Sequence, residues 1–112
     1  MDTEAIEIVL GHFFVAFGQG SGRIRFTSDA VVEARRLCLP LATQVVNEWE
    51  TYRAEVLEVV AAMGRVAAGL VPDDGRVDIT AEDVRHAIER VVSGRSSFIC
   101  LQMRKICDGS GI

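Results

Sequence analysis

The sequence feature that most constrains the fold is an apolar pattern with alternating intervals of four and three residues. We call its members the apolar seam: Val45, Trp49, Tyr52, Val56, Val59, Met63, Val66 and Leu70. This spacing is a heptad repeat, which places all eight side chains on one face of a helix. The stripe is too long for two short helices to cover. Flanking helices of the same chain are one possible cover, but we expect a second subunit and assign the seam to a dimer interface.

The helix that carries the seam is predicted to extend from Ser28 to Leu70. Unbroken, it would reach roughly 65 Å, well beyond a compact domain of this size. Pro40 interrupts the pattern because it removes one backbone hydrogen bond to Arg36. The surrounding LCLPLATQ contains no glycine or asparagine to supply the positive φ of a tight turn, so we predict a kink or split at Pro40 and no chain reversal there.

A shorter helix and a short extended piece precede this long helix. The helix is predicted over residues 3–17, from the spacing of Ile6, Leu10, Phe13, Phe14 and Phe17. The following GQGSG at 18–22 lacks the lysine of a phosphate-binding loop and follows no strand, so we interpret it as a helix terminator. Ile24 and Phe26 then alternate with arginines in RIRF, and Thr27 is a predicted helix cap.

A turn, a second extended piece and a further helix follow the seam. VPDDG at 71–75 is a turn sequence, and RVDI at 76–79 is extended. Thr80 and Asp83 then have the spacing of a capping box, which begins a helix that buries Val84, Ile88 and Val91. SSFICLQMRKI predicts one more helix. We therefore expect a single helical domain over residues 1–106 and a flexible tail over 107–112.

Charge and hydropathy exclude several classes of function. The net charge is −4, and eleven of the twelve basic residues are arginine. An acidic chain is unsuited to coating nucleic acid unaided, although a few arginines can still bind phosphate or carboxylate. No apolar run is long enough to span a membrane, and the acidic MDTE start is unlike a secretory signal. We expect an intracellular protein, nuclear in a eukaryote and otherwise in the cytoplasm or nucleoid.

The cysteines and histidines show no pattern typical of a metal or catalytic site. These residues are Cys38, Cys100, Cys107, His12 and His86. They lack CxxC spacing and any recognisable arrangement of nucleophile, base and orienting group. We therefore predict buried thiols, no metal, no cofactor and no enzymatic activity.

The order of elements, together with two sequence stretches, resembles the histone fold. In DGRVDITAEDVRHAI, GR is followed after five residues by ED, as in the second loop and last-helix start of archaeal histones and of small histone-fold subunits in centromere, DNA-repair and transcription complexes. RFTSDAVVEARRL is similar to their first loop and central-helix start. The resemblance covers residues 4–92. It implies an all-α histone fold, here with an extra C-terminal helix, that dimerises with itself or with another histone-fold protein.

The same resemblance implies roles for particular charged residues. Arg76 and Asp83 occupy the positions of a structural clamp between the second loop and the last helix. Arg23, Arg25 and Arg76 would form a patch at the paired loops that touches DNA phosphates weakly, as part of a complex. Asp78 stands where many DNA-binding histones have threonine, and an acid there repels phosphate.

A second resemblance stays open. The pattern V.IT.EDV..AI is similar to the end of the small helical lid domain of AAA+ ATPases of the minichromosome-maintenance and magnesium-chelatase type. Because the sequence has no Walker A motif, this alternative implies a detached lid-like interaction module.

Overall fold

The computed structural model describes residues 2–20, 24–71, 78–95 and 100–101, and this part of the chain is mostly helical. The elements in chain order are α1 (Thr3–Gln19), β1 (Arg25–Phe26), α2 (Ser28–Val45), a 3₁₀ turn (Val46–Glu48), α3 (Trp49–Gly69), β2 (Asp78–Ile79) and α4 (Ala81–Gly94).

Side-chain caps define where three of the helices begin. Asp2 accepts a hydrogen bond from the backbone N–H of Ala5 at 2.8 Å, and Thr27 accepts one from Ala30 at 3.1 Å. Thr80 and Asp83 form a reciprocal capping box. The Thr80 hydroxyl accepts the N–H of Asp83 at 3.3 Å, and the Asp83 carboxylate accepts the N–H of Thr80 at 3.0 Å. Each cap satisfies amides that have no partner within the helix. The predicted helix starts at Thr27 and Thr80 are confirmed.

The two extended pieces pair with each other inside one chain. β1 and β2 are parallel, with Arg25 opposite Asp78 and Phe26 opposite Ile79. The N–H of Thr27 donates to the carbonyl of Ile79 at 3.0 Å, which extends the pairing to the cap of α2. The pairing joins two segments more than 50 residues apart and holds the starts of α2 and α4 side by side.

The prediction of one long helix from Ser28 to Leu70 is wrong, because the chain turns at Val46–Glu48. α2 and α3 have 18 and 21 residues. Laid end to end they would reach about 58 Å, whereas the longest dimension of the molecule is 42 Å. The turn has no glycine, and Val45 and Glu48 leave the helical region only moderately, with φ, ψ of −108°, 0° and −131°, 30°. Such modest changes leave little trace in a sequence pattern.

Pro40 lies inside α2, and the helix continues through it to Val45. The prediction that the chain does not reverse at Pro40 is therefore confirmed, and of the two alternatives predicted there, a kink or a split, the split does not occur. The hydroxyl of Thr43 donates to the carbonyl of Leu39 at 3.0 Å, a local bond often associated with helix bending. The missing hydrogen bond of one proline is thus tolerated where the rest of the helix is packed.

The core lies between two pairs of helices. α1 packs against both α2 and α3, and so does α4, whereas α2 and α3 make few contacts with each other. The largest fully buried side chains are Phe14, Ile6, Leu10, Leu41, Met63, Ile79, Val56, Val59, Val60, Val84 and Cys100. The predicted α4 residues Val84, Ile88 and Val91 are all buried, but Phe13 of α1 is half-buried and Phe17 is 39% exposed.

A close crossing of α1 and α3 depends on two glycines. A methyl group at position 64 would lie 2.5 Å from the carbonyl oxygen of Phe14 and 2.9 Å from the amide nitrogen of Gly18. A methyl group on Gly18 would lie 2.5 Å from the ring of Phe26, which packs edge-to-face on Phe14. Gly18 therefore lies within the helix as a packing residue, and the left-handed Gly20 (φ 51°) ends α1.

Several sequence predictions fall largely or wholly outside the described residues, including the turn VPDDG at 71–75, of which only Val71 is described. Of the predicted helix SSFICLQMRKI, the structure describes Cys100, which is helical and buried, and Leu101, which is helical and 42% exposed. The predicted tail, residues 107–112, lies outside the described residues.

We expect Gly64→Ala to lower the free energy of unfolding by about 1–3 kcal/mol, because the added methyl group meets backbone atoms that cannot move aside cheaply. Gly69→Ala is the matched control, since nothing lies within 4 Å of the added methyl group. It should raise stability by up to about 1 kcal/mol through helix propensity. Urea unfolding followed by circular dichroism measures both, and equal effects of the two variants would contradict the close crossing.

Candidate functional site

The apolar seam is covered within one chain. Five of its members are buried, namely Val45, Trp49, Val56, Val59 and Met63. The other three, Tyr52, Val66 and Leu70, are half-buried and pack against the same core. A second subunit is therefore not needed to bury the seam, and the dimer contact assigned to these residues stays a prediction.

We expect Val56→Asp and Met63→Asp to unfold the protein, since each places an uncompensated carboxylate in the core at a cost of about 3–5 kcal/mol. Val32→Asp is the control because Val32 is 64% exposed, and its effect should remain within about 0.5 kcal/mol. Thermal melts and light scattering of the three variants provide the measurement. Unchanged melting of the Val56 and Met63 variants would show that the seam is not buried.

The edge formed by β1 and β2 is the candidate nucleic-acid site. Of the three arginines predicted there, the structure describes Arg25, which is exposed, while Arg23 and Arg76 lie outside the described residues. The register places Arg25 directly opposite Asp78, also exposed. Opposite charges on paired strands attract, so the acid reduces the positive potential that Arg25 offers a phosphate.

The predicted clamp is described on one side only. Asp83 uses a carboxylate oxygen to accept the N–H of Thr80 at 3.0 Å, which holds it at the first turn of α4. Arg76 lies outside the described residues, so its pairing with Asp83 stays a prediction.

A charged contact that the sequence analysis missed joins α2 to α4. The carboxylate of Glu33 is only 12% exposed, and it pairs with Arg36 on its own helix and with Arg85 of α4 at 3.3 Å. The Glu33–Arg36 spacing is a recognisable helical pair, but the contact with Arg85 needs the packing of two helices. Glu33 therefore links α2 to α4 through two guanidinium groups.

Several apolar side chains are exposed on the outer faces of α1 and α2. Ile8 is 49% exposed, Val32 64% and Leu39 43%, and the seven-residue spacing of Val32 and Leu39 puts them on one helix face. Phe17 is exposed too, but the guanidinium of Arg65 covers its ring at 5.3 Å. The exposure of Ile8 and Leu39 depends on how α1 and α2 pack and could not be read from their spacing.

The described thiols are buried, and the described histidines are exposed. Burial, and to a lesser degree the charge of Glu7, raises the pKa of Cys38 to about 12, which keeps this thiol protonated and unreactive. Cys38 and Cys100 are buried, as predicted, while Cys107 lies outside the described residues. His12 is exposed, and His86 lies 3.5 Å from Glu82 one turn away. Among the residues with described positions, no three His, Cys, Asp or Glu side chains converge as metal ligands.

One open groove of about 230 Å³ lies between α3 and α4. The groove is lined by Ala62, Val66, Arg90, Val91, Gly94 and Arg95. Arg95 pairs with Glu58 at 3.2 Å, which directs one of the two positive charges toward α3. The volume is below that of typical small-molecule sites.

No helix in the described part of the chain combines the length and the apolar character needed to cross a membrane. Comparison of this chain with protein-family models, with curated proteins and with solved structures finds no match.

Proposed function

We propose that this chain is a non-enzymatic histone-fold subunit that dimerises and serves in a DNA-associated assembly. The observation that carries the proposal is the parallel pairing of β1 and β2, with Arg25 opposite Asp78. In histone-fold proteins the two loops also pair as short parallel strands, but they do so between two subunits, whereas here they pair within one chain. The resemblance of GRVDITAED and RFTSDAVVEARRL to that family lies in these loops and the helix starts that follow them.

The charge of the loop edge favours weak contact with DNA phosphates and no reading of sequence. The exposed side chain of Arg25 is available for a phosphate contact. Asp78 lies opposite Arg25, and the whole chain carries a net charge of −4, so both oppose strong binding. Each phosphate contact contributes about one unit to the slope of log affinity against log salt concentration. Binding by the chain alone is therefore weak at physiological salt, and a basic partner is needed for a continuous path along DNA.

Titration of two unrelated fluorescent duplexes at two salt concentrations, followed by anisotropy, tests this role. Arg25→Glu should weaken binding to both duplexes equally and reduce the salt slope by about one, the mark of backbone contact. The pair Arg23→Glu with Arg76→Glu should act in the same direction. Asp78→Thr should strengthen binding, because it removes a charge that repels phosphate.

Arg53→Glu is the matched control for this titration. Arg53 is an exposed arginine at the opposite end of α3 from the crossing that contacts β1, and it lies 4.0 Å from Glu50. It should leave the salt slope unchanged although it alters the net charge as Arg25→Glu does. If Arg25→Glu and Arg53→Glu weaken binding equally, the loop edge does not face DNA.

The second candidate is the AAA+ lid-like module. This alternative is favoured because one copy of the chain forms the strand pairing and buries the seam without a second copy. A lid domain needs a larger ATPase as partner, whereas a histone-fold subunit needs another small helical protein. Affinity capture from the native source followed by mass spectrometry distinguishes them by the kind of protein recovered in stoichiometric amount.

A further inference from the structure

We propose that the groove between α3 and α4 is a docking site for a short acidic segment of another protein. The segment inserts one apolar side chain between the two helices and places a neighbouring carboxylate on Arg90. The groove has a volume of about 230 Å³, and none of its described lining residues belongs to β1 or β2. The inference therefore goes beyond the proposed contact of the loop edge with DNA, and it does not depend on dimerisation.

The least exposed part of the groove lining is apolar. Ala62 and Val91 are 7% and 6% exposed, and Val66 is half-buried against the core. Gly94 is exposed, and nothing lies within 4 Å of a methyl group added to it. The lining thus combines an apolar surface with open space, which an apolar side chain can enter without moving either helix.

The size of the groove favours a single side chain over a free small molecule. Small-molecule sites usually enclose roughly 300–1,000 Å³ and bury most of their ligand, whereas this groove is smaller and open. A side chain carried by a polypeptide needs no enclosure, because the rest of the segment can rest on the outer surfaces of the helices. Burial of one aliphatic side chain is enough for a weak but specific contact.

Arg90 supplies the positive charge that selects an acidic segment. Its side chain is exposed and makes no ion pair with any residue that the structure describes. By contrast, Arg95 at the same groove pairs with Glu58 at 3.2 Å, and Arg85 of the same helix pairs with Glu33 at 3.3 Å. A carboxylate from another chain can therefore form a charge-assisted hydrogen bond with Arg90 without displacing an acid described here.

The neighbouring acids favour a peptide carboxylate over a nucleic-acid backbone. Glu89 precedes Arg90 and is exposed, and Glu58 stands at Arg95. Nucleic acids gain affinity when several cations neutralise several phosphates. One arginine flanked by acids offers a single such contact, and a phosphate backbone makes no use of the apolar lining. An acidic peptide with an apolar residue uses both features.

Titration of isotope-labelled protein with a synthetic peptide, followed by NMR, tests the proposal. The probe is a capped heptapeptide with one leucine between two glutamates, completed by serine and glycine. At millimolar concentration it should cause saturable shifts centred on the amides of Ala62, Val66, Val91 and Gly94. Peptides in which serine replaces the leucine, or lysine replaces both glutamates, should bind on the order of tenfold more weakly.

Two protein variants, each with a matched control, locate the contact. Arg90→Glu should weaken binding on the order of tenfold, whereas Arg53→Glu makes the same charge change at an exposed arginine away from the groove and should have no effect. Gly94→Leu should fill the groove and weaken binding on the order of tenfold. Gly69→Leu is its control, since Gly69 likewise ends its helix with nothing within 4 Å of an added methyl group.

Several results would overturn the proposal. These are the absence of saturable shifts at the groove, equal binding of the leucine and serine peptides, and equal effects of Arg90→Glu and Arg53→Glu. Because Arg90 is exposed, its variant decides the matter even if Gly94→Leu lowers the melting temperature. A DNA duplex that shifts the same amides as strongly as the peptide would show a general anion site and also overturn the assignment. The loop-edge titration with Arg25→Glu is independent, so failure of either proposal leaves the other standing.

Discussion

The constraint on which the structure depends is the need to cover a long apolar stripe with a chain of 112 residues. The chain meets it by turning at Val46–Glu48, so that α1 and α4 can each contact α2 and α3. Burial of apolar area is non-directional and is the main favourable term in folding. It therefore rewards any arrangement that covers the stripe, and the particular arrangement is decided by the geometry of the remaining contacts.

Two of those contacts are highly directional. Gly64 allows the backbone of α3 to approach Phe14 and Gly18 of α1 more closely than any side chain would permit. The parallel pairing of β1 and β2 then ties the loop after α1 to the loop after α3. Together they hold α1 against α3 at the end of the molecule away from the turn, which leaves the turn itself unburied.

Several arginines have acidic or aromatic partners within the protein. Glu33 holds Arg36 and Arg85, Glu58 holds Arg95, and Arg65 lies over the ring of Phe17. These arginines have partners within the protein, and exposed ion pairs contribute little to stability individually. Arg25 lies opposite Asp78, and this acid reduces the positive potential of the loop edge.

Local rules in the sequence determined the helices that begin at Thr27 and Thr80, the extended residues Arg25–Phe26 and Asp78–Ile79, and the membership of the buried stripe. Caps and apolar periodicity act over a few residues, so they can be read without knowledge of the fold. The turn at Val46–Glu48, the packing role of Gly18, and the contact of Glu33 with Arg85 were decided by tertiary structure alone. Each depends on segments distant in sequence, and the turn in particular carries no glycine, proline or cap to mark it. The same eight seam residues satisfy a straight helix and a broken one, because only the elements packed around them choose between the two.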